Sequence, residues 1–213
     1  MLIFGHTGIT LAAAVLLNGT LAKAHTLTSR VDRLRGQPQA SPRMPSRQNS
    51  SDVGIMSWLT SLANLIDVRL LLIGSLLPDI VDKPVGMFFF RDTFSSGRIF
   101  CHTLLFLIVI TLGGLYLYWS RNKTWLLVLS FGTFTHLILD LMWLTPRTLL
   151  WPLYGFSFEK TNLTSWIQDM FHILLTRPTV CIPELVGAAI VIWFASLLVR
   201  KGKLYTFIRN GRL

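Results

Sequence analysis

Residues 131–152 read FGTFTHLILDLMWLTPRTLLWP. Within this apolar run His136 and Asp140 stand at i and i+4. On an α-helix such positions share one face. Ionisable side chains at membrane depth are costly unless they hold a partner or perform a task. A neutral imidazole and a carboxylate at this spacing can bind one divalent metal ion. The stretch therefore predicts an apolar helix carrying a functional polar pair.

The rest of the chain has the same character. Of its 213 residues, 52% are hydrophobic and only 14% charged, and the mean hydropathy is +0.54. That is a membrane composition. Five apolar segments stand out, at 1–22, 58–77, 100–119, 125–144 and 183–199. The first four approach the ~20 residues needed to cross hydrocarbon. The fifth is shorter, with Glu184 at its edge, and can span with snorkelling flanks or a thinner bilayer. The expected fold is all-α: a polytopic membrane protein of about five transmembrane helices in one bundle, forming a single domain over 1–213. No internal repeat is visible.

Residues 23–57 differ. The run GQPQASPRMPSRQNSSD (36–52) is rich in Ser, Pro, Gln and Arg and cannot bury a core, so 23–57 is expected to be a flexible basic cytoplasmic linker. The preceding LAKAHT places small residues at Ala22 and Ala24, as a signal-peptidase site would. However, the segment before it opens without Lys or Arg, and its apolar run is long for a signal peptide. It is therefore expected to remain as a span. Between 146 and 182, Trp166, Ile167, Met170, Phe171 and Leu174 fall on one helical face, with Gln168, Asp169 and His172 on the other. This predicts an interfacial amphipathic helix.

The net charge of +10 is unevenly spread. Lys23, Arg30, Arg33, Arg35, Arg43 and Arg47 crowd the first loop, Arg121 and Lys123 the third, and Arg200, Lys201, Lys203, Arg209 and Arg212 the C-terminal segment. The intervening loops offset Lys83, Arg91, Arg98, Arg147, Lys160 and Arg177 with Asp92, Glu159 and Asp169. Alternate loops are basic, which is the positive-inside pattern. It predicts an inner-membrane protein with its N-terminus outside and its C-terminus in the cytoplasm. Anionic lipid headgroups are the expected partners of the basic ends, and no specific nucleic acid is expected. Cys101 and Cys181 show no disulfide or zinc-knuckle spacing and read as small packing residues.

This topology makes a test of function. With 23–57 inside, His6 lies near the outer end of the first span, and the second delivers Asp79 and Asp82 outward. The third begins with His102, and the fourth returns with His136 and Asp140 in its outer half. All six candidate ligands then share one membrane side and depth. Singly, each has a bland reading: Pro78 can end the second span, leaving Asp79 and Asp82 to cap a turn, while His6 and His102 can be structural and Arg98 an interfacial anchor. Jointly they favour a site. His25 lies beside the basic linker and is set aside. His172 with Asp169 is a weaker candidate.

With these residues in view, the chain resembles a known group. GHTG (5–8), GSLLPDIVDKP (74–84), GRIFCHTLLF (97–106), and GTFTHLILDLMW (132–143) followed by TLLWPLYG (148–155) are similar to the membrane-bound metal-dependent hydrolases, also described as LexA-binding, inner-membrane-associated hydrolases. The likeness covers 1–22 and 70–155. It implies an α-helical fold with several spans and a divalent metal site whose ligands by position are His6, Asp79, Asp82, His102, His136 and Asp140. The chain departs from the group after PDIVD, where Lys83-Pro84 replaces a compact acidic-plus-His cluster. That departure counts against a second metal. A fainter similarity to zinc-dependent phospholipases C points to phosphoester chemistry.

The expected activity is metal-assisted hydrolysis with Zn²⁺ as the first choice of ion. Asp79 or Asp82 would serve as general base or as partner of a ligating His, and Arg98 or Arg147 would neutralise a phosphate. Lys83 would face headgroups or substrate phosphate, unless it pairs with Asp79 or Asp82. Trp143, Trp151 and Tyr154 would border a lipid-accessible cleft, so the expected substrate is a lipid or a lipid-linked ester or phosphoester. Two rivals stand beside this reading: an ion- or proton-coupled transporter, against which the lack of a repeat counts, and a non-catalytic scaffold, which has no need of the His136/Asp140 pair. The sequence leaves the oligomeric state open.

Overall fold

Among the described residues, many buried side chains are polar and many large apolar ones are exposed. The computed structural model describes residues 3–16, 67–160 and 166–211. The linker 23–57, the LAKAHT run and the start of the second apolar segment lie outside the described residues. Among the described residues every regular element is helical. Helix α1 covers Ile3–Leu16, α2 Val68–Pro84, α3 Leu104–Arg121 and α4 Trp125–Leu139. Short α5 (Pro146–Leu149) and α6 (Trp166–Thr176) precede α7 (Pro178–Arg200) and α8 (Leu204–Asn210). Helices α3, with 18 residues, and α7, with 23, are long and apolar enough to cross a membrane, while α1 and α4 are apolar but shorter. Ile108, Val109, Leu112, Tyr116, Ile192 and Trp193 are exposed on the two long helices, whereas His6, Ser75, Asp82, His102, Thr133, His136 and Glu184 are buried. Buried polar groups together with large apolar side chains exposed on the long helices suit a lipid surround.

Helix α2 starts where Asp67 accepts a hydrogen bond from the Arg69 amide at 3.0 Å. It does not end at Pro78, as that residue alone suggested, but continues to Pro84. Asp79 and Asp82 therefore stand on the helix rather than in a loop. Pro78 has no N–H for the carbonyl of Gly74, its i−4 partner. Helix α4 supplies a substitute donor: Thr133 Oγ1 lies 3.3 Å from that carbonyl and 3.1 Å from the carbonyl of Leu129. A proline is tolerated in a membrane helix when a neighbour satisfies the freed group in this way.

The approach of α2 to α4 requires glycine on both sides. A Cβ at Gly74 would lie 2.4 Å from the Leu129 carbonyl oxygen, and one at Gly132 would lie 2.5 Å from that of Leu71. Small residues at such crossings let backbones meet in membranes, where packing rather than solvent drives association. Around the contact, Ala14, Leu71 and Val128 form one apolar cluster; Leu107, Leu137 and Met142 form another. Helix α3 joins through Thr111 Oγ1 and Ser130 Oγ, 2.6 Å apart.

The elements share a polarity. Helix α2 begins against the C-terminal segment, where the Val68 amide donates to the Gly211 carbonyl at 2.9 Å and the Arg69 guanidinium to that of Ile208. It ends at Asp79, Asp82 and Lys83. Helix α3 starts beside His102 and ends at Arg121, α4 returns to His136, and α7 ends at Arg200. One end of the assembly therefore gathers histidines and aspartates, and the other gathers Arg121, Lys123, Arg200, Lys201, Lys203 and Arg209.

Candidate metal centre

Two of the three buried histidines of the cluster, His136 and His102, are each oriented by a group that accepts a hydrogen bond. His136 Nδ1 lies 2.6 Å from the Ser75 carbonyl oxygen. His102 Nδ1 lies 2.7 Å from Asp82 Oδ2. Both Nδ1 atoms must therefore carry the hydrogen, leaving both Nε2 atoms of the neutral rings with bare lone pairs. These Nε2 atoms face each other at 3.3 Å. Two lone pairs at that distance repel unless a cation or a proton lies between them.

More acceptors converge on the same point. Asp79 Oδ1 is 3.6 Å from His102 Nε2. His6 stacks on His136 with ring centroids 4.2 Å apart, and its Nε2 is 3.5 Å from Asp140 Oδ1. That separation is marginal for a hydrogen bond, and among the described residues neither ring nitrogen of His6 has a hydrogen-bond partner although the residue is fully buried. One oxygen of each carboxylate faces the cluster and the other meets a cationic side chain: Lys83 Nζ lies 2.7 Å from Asp79 Oδ2 and Arg98 Nη2 2.7 Å from Asp140 Oδ2.

This donor set fits a divalent ion. In each of two triads, His6–Asp79–His136 and His102–His136–Asp140, one ligand atom per residue lies within 4.8 Å of the others. Tetrahedral zinc with nitrogen ligands at about 2.05 Å spaces them by roughly 3.3 Å. The mixture of imidazole and carboxylate, with no thiolate aimed inward, suits zinc and other first-row ions.

Asp82 stands apart. Its carboxylate accepts from the amides of Ile99 (2.8 Å), Cys101 (3.0 Å) and His102 (3.2 Å) as well as from His102 Nδ1. These donors occupy its lone pairs and pin the loop before α3, so Asp82 orients a histidine from behind. Lys83 pairs with Asp79, which is the pairing alternative. Arg147 is exposed and makes no ion pair among the described residues. His172 is exposed on α6. Trp143 and Tyr154 are exposed, while Trp151 packs against Phe100 (5.4 Å) and Phe158 (5.8 Å) beside the cluster. Sequence reasoning missed the Ser75 carbonyl, Thr133 and the burial of Glu184. A backbone acceptor carries no signal in the sequence. Glu184 was visible as a lone acid beside an apolar segment.

Comparison with known proteins adds one finding. A family model described as YdjM inner membrane protein matches residues 50–207, a stretch that holds every member of the cluster except His6. No curated protein and no solved structure matches the chain.

Proposed function

This chain belongs to the YdjM inner membrane protein family, and we propose that it is a membrane-embedded, metal-dependent hydrolase of lipid or lipid-linked esters, phosphoesters above all. The observation that carries the proposal is the pair of Nε2 atoms 3.3 Å apart, each bared by a hydrogen bond on the far side of its ring. His6, His102 and His136 with Asp140 would hold the ion, Zn²⁺ by first choice. When bound, such an ion lowers the pKa of water and polarises a phosphoryl or acyl oxygen. Asp79, whose Oδ1 lies 3.6 Å from His102 Nε2, would then serve as the general base toward water. Asp82 and the Ser75 carbonyl hold His102 and His136 in the ligating tautomer. Arg98, whose side chain is 44% exposed, and Lys83, 30% exposed, present cationic donors at the rim, where an anionic phosphate would dock.

We place the His/Asp end on the outer side and the basic end in the cytoplasm, with α1, α2, α3, α4 and α7 as the five crossing segments. The gathering of Arg and Lys at the end opposite the cluster supports this orientation. Anionic lipids would be partners of that end. The interfacial role of α6 belongs to the same proposal, as does linker 23–57 on the cytoplasmic side.

The test is metal analysis of detergent-purified protein beside His136→Ala, coupled to chelator-sensitive phosphate release from lipid phosphoesters. Wild type should hold metal and the variant none. Equal metal in both would refute the ligand role. Cation or proton flux in vesicles without hydrolysis would favour the transporter.

A further inference from the structure

Helix α1 contributes His6, yet it lies outside the stretch matched by the family model. Something must hold it in register with the cluster. Helix α7 carries a buried carboxylate, Glu184, 6% exposed, within an otherwise apolar stretch. Its Oε2 accepts a hydrogen bond from the Phe4 amide at 3.0 Å. The first amides of a helix have no partner inside it, and a negative charge there is further favoured by the helix dipole. One turn on, the two backbones touch. A Cβ at Gly8 would lie 2.3 Å from Gly187 Cα, and one at Gly187 would lie 2.0 Å from the Phe4 carbonyl oxygen. Phe4 and Gly8, at i and i+4, face α7, while His6 and Thr10 are buried on the side toward α2 and α4. A buried carboxylate is expensive in this setting, and a register pin for α1 is a use that offsets the cost.

We propose that Glu184 is a positioning residue that docks α1 through the Phe4 amide and so sets His6 against His136, making α1 a retained part of the site rather than a removable leader. The metal consequence rests on the function proposed above, whereas the docking does not. Two measurements separate them. The first is backbone hydrogen exchange of residues 3–8 in chelator-treated, detergent-solubilised full chain. Wild type and Glu184→Gln, which keeps an acceptor oxygen, should protect this segment. Glu184→Ala should lose protection there while α3 keeps its own. The second is zinc affinity by chelator competition, expected to fall about 10–100-fold in Glu184→Ala and to be restored in Glu184→Gln. If Glu184→Ala does not accumulate, Gly8→Ala, which forces α1 off α7 with Glu184 intact, should show both losses. Unchanged exchange at 3–8 in the variant that accumulates would overturn the inference whether or not zinc binds. Purified wild type whose mass lacks residues 1–24 would overturn it too. Lost protection in a chain whose wild type binds no zinc would uphold the docking and reject the metal reading alone.

Discussion

Replacing Asp82 by Asn separates an orienting carboxylate from a ligand. Asp82 Oδ2 receives the amides of Ile99, Cys101 and His102 and the Nδ1–H of His102, while Oδ1 shares only the Cys101 amide. An asparagine with its carbonyl oxygen in the Oδ2 position keeps these acceptor contacts, and its NH₂ meets a single shared donor. The loop before α3 should therefore hold, at the cost of exchanging charge-assisted bonds for neutral ones, about 1 kcal/mol each at most. His102 loses its anionic partner and ligates less strongly. Removing such a partner typically weakens metal binding by about 10–100-fold, or roughly 1.4–2.7 kcal/mol. The assay is zinc competition against a chromophoric chelator in detergent, with circular dichroism confirming helix content. A loss within that range with intact helicity is the expected result. Unchanged affinity would show that Asp82 does not orient His102. A loss of about 10⁴-fold or more, equal to that of His136→Ala, would make Asp82 a ligand and refute the reasoning.

Three further outcomes are expected. Gly132→Ala places a Cβ 2.5 Å from the Leu71 carbonyl oxygen, so α2 and α4 must separate at a cost of about 1–3 kcal/mol; a thermal melt of purified protein should shift down, and an unchanged Tm would deny the close crossing. Lys123→Cys, in a Cys181→Ser background, should resist a membrane-impermeant thiol reagent in intact cells and react after permeabilisation, while ready labelling from outside would invert the topology. Lys83→Met should raise KM for an anionic lipid phosphoester more than it lowers kcat, because Lys83 stands at the rim; an equal loss of kcat with unchanged KM would reduce it to a neutraliser of Asp79.

Membrane character and helical class could be read directly from composition, because apolar segments near bilayer length have few other uses. The cluster was legible for the same reason: His136, Asp140, His102 and His6 are conspicuous only because their neighbours are Leu, Ile and Phe. The extent of the helices was less legible. Pro78 reads as a stop when its own backbone is considered, and Thr133 reverses that from a different helix. Two described helices satisfy span length and composition outright, while Ile3–Leu16 and Trp125–Leu139 are apolar but shorter.

By itself, then, the sequence determined an all-α inner-membrane chain with a few ionisable residues set among apolar ones, since hydropathy and charge act through residue identity and order alone. The division of labour among those residues was decided by the tertiary structure. Asp79 and Asp82 are chemically identical and three positions apart, yet one turns an oxygen into the cluster and the other is saturated by amides from residues 99–102. The tautomer of His136 is set by the Ser75 carbonyl, and the Phe4 amide beside His6 meets Glu184, 180 residues from Phe4. These roles depend on which backbone groups meet which side chains across helices, and such pairings come into being only when the helices pack.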